Sequence, residues 1–237
     1  AAAAGGQDSI GLRCPSHPLA LALLQACAAL GVYGVAGPSA NRFGRVSPTT
    51  AAHVQQEFGD ALLILDGGAC AVGIESTIVD CSRGAPVLLR PGVLTPTQIE
   101  AACGCKLFTK EELPRVDVAL GAPAPRASGM LVAHYAPNAK VRLMDAKAIQ
   151  TALDLLGTDL DRSGTRIAVY SRAILRSRSA RVLQRRMPDD AVATAQQLFA
   201  VLREFDDAGA TLIWVETLPA ALEWDGVRDR LQRASAA

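Results

Sequence analysis

Aromatic side chains are scarce in this sequence, at 4% of its residues, and histidine occurs only at positions 17, 53 and 134. No apolar run approaches the roughly 18 residues that a membrane-spanning helix needs, so no membrane contact of that kind is expected. A dominant charge is missing too: 24 Lys and Arg against 23 Asp and Glu leave a formal +1. That balance excludes a broad basic nucleic-acid face, so any polyanion contact must be local. Three nucleotide and hydrolase signatures are also absent. Gly31, Gly34 and Gly37 miss both the Walker and the dinucleotide spacing. Ser39 lacks the second glycine of a nucleophile elbow, which removes the basis for a Ser39, His134 and Asp66 triad.

The six cysteines have no regular disulfide spacing and no secretory leader ahead of them, which implies reduced thiols and a cytoplasmic location. Cys103-Gly104-Cys105 is close enough to suggest a metal, but no second pair accompanies it and the histidines are scattered. No structural metal is expected. Asp66, Glu75 and Asp80 are candidate magnesium ligands, although carboxylates at strand ends more often meet solvent and a metal held through substrate phosphates leaves little protein signature.

What is present is half hydrophobic and long enough, at 237 residues, for one or two cores, with two preferred. Its pattern predicts an α/β protein. Strands are expected near 9–13, 32–36, 62–65, 75–80 and 86–90, and helices at 18–30, 50–58 and 95–102. The helix at 18–30 is apolar almost all round and should be well buried. Thr95 and Gln98 have the spacing of a capping box. The segment Gly121–Gly129 is a linker by composition. Strands at 141–144, 167–170 and 212–215 then alternate with helices at 145–156, 190–208 and from Trp224 toward Ala234, a small Rossmann-like unit. The expected division is a first domain over 1–112, a linker or lid over 113–138 and the Rossmann-like domain over 139–237.

The chemistry gathers in turns. Gly37-Pro38-Ser39-Ala40-Asn41-Arg42-Phe43-Gly44-Arg45-Val46-Ser47-Pro48-Thr49 lies between a strand-like run and a helix, where open α/β sheets place ligands. Ser76 and Thr77 follow a glycine-containing turn, and Arg13 and Arg90 end strand-like runs. Phosphate chemistry needs hydroxyls, backbone N–H groups and arginines so arranged. Spacing alone favours the plainer alternative, polar residues in turns and solvated arginines.

Gly11-Leu12-Arg13-Cys14-Pro15-Ser16-His17-Pro18, the loop above, Gly73-Ile74-Glu75-Ser76-Thr77-Ile78-Val79-Asp80, Leu89-Arg90-Pro91-Gly92, Ser128-Gly129-Met130, His134-Tyr135-Ala136-Pro137, Trp224 and Asp229-Arg230-Leu231 come in one order. With them the sequence strongly resembles the YrdC-like family in its two-domain form, the threonylcarbamoyl-AMP synthases. The resemblance implies a YrdC-like twisted open sheet with helices, N-terminally incomplete, followed by a smaller Rossmann-like α/β domain. It implies a nucleotidyltransferase that joins L-threonine, bicarbonate and ATP, with Mg2+, into threonylcarbamoyl-AMP and releases pyrophosphate. The product would pass to a tRNA threonylcarbamoyl transferase that modifies adenosine, with RNA contact as a further expectation. By motif position, Arg13, Ser39 and Ser76 would hold threonine. Ser9, Asn41, Thr49 and Arg90 would contact ATP, Ser47 would support the loop, and Tyr135 would cover the nucleotide from the linker. No residue is singled out for proton transfer. The family's Pro-Thr-Glu-Thr and Lys-x-Arg type segments, which precede the Arg13 run, do not occur here. The expectation is therefore a fragment of such an enzyme or, alternatively, a non-catalytic nucleotide- or RNA-binding remnant.

Overall fold

Four parallel strands in the C-terminal half form the sheet on which the rest is assembled. In the computed structural model, residues 2–82, 84–112, 125, 127, 129 and 131–237 are described. Most of the expected linker, with Ser128 and Met130, lies outside them, as does Arg83 between the expected strands at 75–80 and 86–90.

The sheet comprises β3 (Lys140–Met144), β4 (Ile167–Ser171), β5 (Val182–Arg186) and β6 (Leu212–Glu216), in the order β3-β6-β4-β5. All pairings are parallel. Alternation along the strands sends side chains to opposite faces. Ile167, Val169 and Trp214 pack with Ile149 and Leu153 of α4 (Ala146–Leu156), together with Leu160 of the short α5 (Asp159–Ser163). Val141, Ala168, Tyr170, Ile213 and Val215 share the other cluster with α6 (Ala191–Asp207) and α7 (Asp225–Ser235). A strand covered on both faces reads as a continuous apolar run, as β4 does. The helix starts follow their sequence signals: Asp145 and Asp190 cap α4 and α6 through side-chain oxygens that accept from the N–H three residues on. β5 is absent from the sequence reading. Its Val-Leu-Gln-Arg-Arg run is polar over its last three positions because it is an edge strand with exposed residues.

The first half has less regular structure than the sequence predicts. It contains α1 (Pro18–Ala29), α2 (Ala51–Phe58), a hairpin of β1 (Ile78–Asp80) with β2 (Val87–Arg90), and α3 (Pro96–Cys103). The Thr95 capping box is formed in both directions. Residues 9–13, 32–36 and 62–65 correct the reading: none is a strand. Leu12, Tyr33 and Leu63 are 88%, 88% and 99% exposed. A strand is completed by ladder partners, and the described residues give these three runs none. The expected burial of α1 is corrected for the same reason, since it has no buried residue. An all-round apolar helix is buried only when neighbours surround it.

The two halves are docked. Arg203 of α6 donates to the Val46 carbonyl and pairs with Glu57 of α2 at 2.8 Å. Asp206 accepts from the Asn138 and Ala139 N–H groups at 2.7 and 3.0 Å and pairs with Arg45. Gly73, at φ +81°, packs so closely on α6 that a Cβ would stand 2.3 Å from the Ala195 carbonyl oxygen. Only glycine fits such an approach in the left-handed region.

Candidate active site

The hydroxyl of Thr50 turns the loop after Val46 into α2: as the N-cap, the Thr50 side chain accepts from the His53 N–H at 3.2 Å. This turn brings Ser47 and Thr49 inward, and both are buried. The His53 ring lies 3.2 Å from the Thr49 N–H and 3.3 Å from its hydroxyl. Burial, aided by Arg203 and opposed by Asp207, holds His53 below its ordinary value. A neutral ring accepts the Thr49 N–H through Nδ1.

The hairpin supplies the second part. Arg90, at the end of β2, is nearly inaccessible to solvent and donates twice to the Ser76 carbonyl, at 3.1 and 2.9 Å. Burial lowers its guanidinium from the usual value, while Tyr135 and Glu75 act in the opposite sense. Ser76 is exposed at the tip of this arrangement, and Ser47 Oγ donates to Glu75 Oε1 beside it.

The C-terminal half supplies the third part. Arg230 of α7 is 0% exposed; its Nε donates to Glu75 Oε2 at 3.0 Å and its Nη2 to the Glu75 carbonyl at 3.0 Å. Its Nη1 reaches the Pro91 carbonyl and Asp229. Tyr135 is 1% exposed, with its ring 5.5 Å from both Phe199 and the Arg230 guanidinium carbon. Its φ of +61° is the one positive value at a non-glycine residue among those described. A left-handed conformation at an aromatic residue costs energy and is retained when surroundings fix it. The hydroxyl faces Arg90, and burial raises its pKa above the usual phenol value. His134 packs edge-on to Tyr135 at 4.2 Å and to Phe43 at 6.3 Å.

Ser47, Ser76, Arg90 and Tyr135 are thus brought together around Glu75 and Arg230. Arg13 comes near the Ser39 loop: a Cβ at Gly37 would lie 3.7 Å from Arg13 Nη1. Asn41 Nδ2 donates to the Arg42 and Arg45 carbonyls, while Oδ1 is buried without a partner among the described residues. His134 Nδ1 is in the same position. No described hydrogen bond joins Ser9 or Ser39 to the cluster. Sequence reasoning underrated Glu75 and Arg230. Glu75 read as a strand-end carboxylate that meets solvent, and Arg230 appeared only within a matched motif, with no role given to it. The available signal was their place inside two of the matched motifs.

The carboxylates do not form a metal cage. Glu75 is engaged by Ser47 and Arg230, Asp80 accepts from Ser82, and Asp66 accepts from the Gly68 N–H. Among the described residues no group of three potential ligands comes together.

Two family models match the chain, one after the other. The family model described as "Threonylcarbamoyl-AMP synthase, C-terminal domain" matches residues 94–236, and that described as "Telomere recombination" matches 1–92. The chain is similar to the threonylcarbamoyl-AMP synthase of Pyrococcus abyssi, 32% identical over 98% of this chain and 65% of that one. It is also similar to that of Bacillus subtilis, 31% identical over 97% of this chain and 64% of the relative. The crystal structure of P. abyssi Sua5 complexed with L-threonine superposes with a TM-score of 0.74 at 31% identity, covering 98% of this chain and 65% of that one. A second P. abyssi structure, in which an adjacent histidine and tyrosine are both replaced by alanine, also gives 0.74, at 29% identity over 98% of this chain and 64% of that one. The chain therefore spans slightly less than two thirds of the length of these relatives.

Proposed function

From the premise that this chain belongs to the threonylcarbamoyl-AMP synthase family, we propose that it serves the synthesis of threonylcarbamoyl-AMP from L-threonine, bicarbonate and ATP. The observation that carries this reading is the convergence of Ser47, Ser76, Arg90 and Tyr135 on the Glu75–Arg230 pair. The threonine-bound relative supports the choice of amino acid.

The reaction divides into two additions. The threonine amine attacks bicarbonate, water leaves, and a carbamate results. A carbamate oxygen then attacks the α-phosphorus of ATP, and the bond to the pyrophosphate oxygen breaks. Both steps call for positioning and charge stabilisation by fixed dipoles. We assign Arg13, Ser39 and Ser76 to threonine, and Ser9, Asn41, Thr49 and Arg90 to ATP. Ser47 holds Glu75, and through it the turn that ends in Ser76. Arg90 is a built-in positive charge in a dry setting. There it stabilises phosphate charge more strongly than an exposed arginine would. The unpartnered Asn41 Oδ1 and His134 Nδ1 are buried polar atoms that a bound ligand would satisfy. Tyr135, fixed beside Arg90, would border the nucleotide. Magnesium fits the triphosphate and not a protein cage, because Glu75 is already occupied; no protein ligand is assigned to it.

We place the protein in the cytoplasm, where its free cysteines remain reduced and a transferase would pass the product to adenosine in tRNA. Among the described residues no helix is long and apolar enough to cross a membrane.

The test is threonine-dependent release of pyrophosphate from ATP in bicarbonate buffer, with the P. abyssi relative as positive control. Release by this chain is the expected result. No release, with the control active, overturns synthesis by this chain. Calorimetry would then show whether the binding of ATP survives alone.

A further inference from the structure

Cys103 is the last residue of α3, and Cys105 follows it across a single glycine. Their sulfurs are 3.3 Å apart in a thiol–thiol hydrogen bond, and both side chains are exposed. The corner that carries them is fixed on both sides. Gly104, in the left-handed region at φ +69°, donates its N–H to the Glu100 carbonyl at 2.8 Å, and the Glu100 carboxylate accepts from the Leu107 N–H at 2.8 Å. Phe108 then joins β2, its N–H donating to the Pro86 carbonyl and its carbonyl accepting from Leu88. The two thiols are therefore held facing each other by the backbone. We propose that Cys103 and Cys105 are a redox-active dithiol that closes reversibly to an intramolecular disulfide with a small-molecule disulfide, such as oxidised glutathione, as the oxidant.

The exchange balances in two steps. A cysteine thiolate attacks one sulfur of oxidised glutathione, the glutathione S–S bond breaks, and the thiolate released takes up a proton. The second cysteine then loses its proton and attacks the protein sulfur of the mixed disulfide, expelling the second glutathione. The protein loses two protons and two electrons and gains one S–S bond, and one oxidised glutathione becomes two reduced molecules. The hydrogen bond to Cys103, then desolvation and the charges of Cys103 and Cys81, raise the Cys105 thiol from its usual value. With the two sulfurs 3.3 Å apart, whichever cysteine forms the mixed disulfide has the other in place to resolve it. A disulfide spanning one residue closes a small, strained ring. Exposed and strained disulfides are the readily reduced ones, which makes the closure reversible.

The test is intact-mass and peptide analysis of the full chain after incubation with excess oxidised glutathione. The expected result is loss of two hydrogens, located in the peptide that contains residues 103–105 and reversed by excess reduced glutathione. Cys105→Ser should trap a stable glutathione adduct on Cys103, whereas Cys81→Ser should leave the closure unchanged. The exposed Cys14 and Cys70 serve as internal controls and should form only adducts. Stable glutathione adducts on Cys103 in the wild-type chain, or a disulfide that includes Cys81, would overturn the proposal. Both side chains are exposed, so the serine variants should retain the wild-type melting curve; that curve establishes that they are folded.

Discussion

Arg230 shows how one side chain joins the two halves. It is enclosed, charged, and bonded to Glu75 through both the carboxylate and the carbonyl. Removing Arg230 leaves the half-buried Glu75 carboxylate without its cation, at a cost of about 1–3 kcal/mol. Arg230→Met is therefore expected to lower unfolding free energy by that order in urea denaturation; a loss under about 1 kcal/mol, the range of exposed pairs, would show that the contact is superficial. Tyr135 is expected to act through its hydroxyl beside Arg90. Tyr135→Phe keeps the packing on Phe199 and should weaken ATP binding in calorimetry, while unchanged affinity would remove the hydroxyl from the site. His134 adds a pH dependence. Burial first, then Arg233, Arg90 and Arg230, lower its pKa below 6.5, with Glu75 opposing. The unfolded state thus binds the proton more readily, so this contribution to stability is full above the unfolded pKa and is lost as pH falls through the folded one. Stability should decline on acidification through that window, and His134→Gln should reduce the decline in denaturation midpoints.

At the scale of elements, capping and stop signals act locally and were legible. Asp145, Asp190 and Thr95 begin helices where the sequence indicates, and Gly157 stops α4. The docking of Arg45, Val46, Glu57 and Gly73 on α6 was not legible, because nothing in the spacing around Gly73 tells that the Ala195 carbonyl will lie against it. Gly73→Ala meets both a left-handed backbone and a clash at 2.3 Å. A destabilisation of roughly 1–3 kcal/mol or more is expected in thermal or chemical unfolding. Wild-type stability in that variant would mean that the contact yields freely.

For the whole molecule, the contrast lies between a sheet covered on both faces and a first half with three uncompleted extended runs. Hydrogen exchange should reproduce it. Amides of β4 and β6 should exchange slowest, and those of 9–13, 32–36 and 62–65 among the fastest. Strong protection in the latter runs would place them in ladders. The candidate site depends on both halves, since Ser47, Ser76 and Arg90 come from one and Arg230 from the other.

The sequence by itself determined the α/β alternation, the helix ends, the hairpin and the motif residues, because periodicity, caps and turns are properties of neighbouring residues. Tertiary structure decided which of those residues meet. Glu75 and Arg230 lie far apart in the chain, yet they form the centre of the cluster because α7 packs under the hairpin. The same dependence on distant partners left 9–13, 32–36 and 62–65 outside any ladder, although their apolar patterns read as strands. A strand and a buried charge are both completed by residues elsewhere in the fold, which local spacing does not specify.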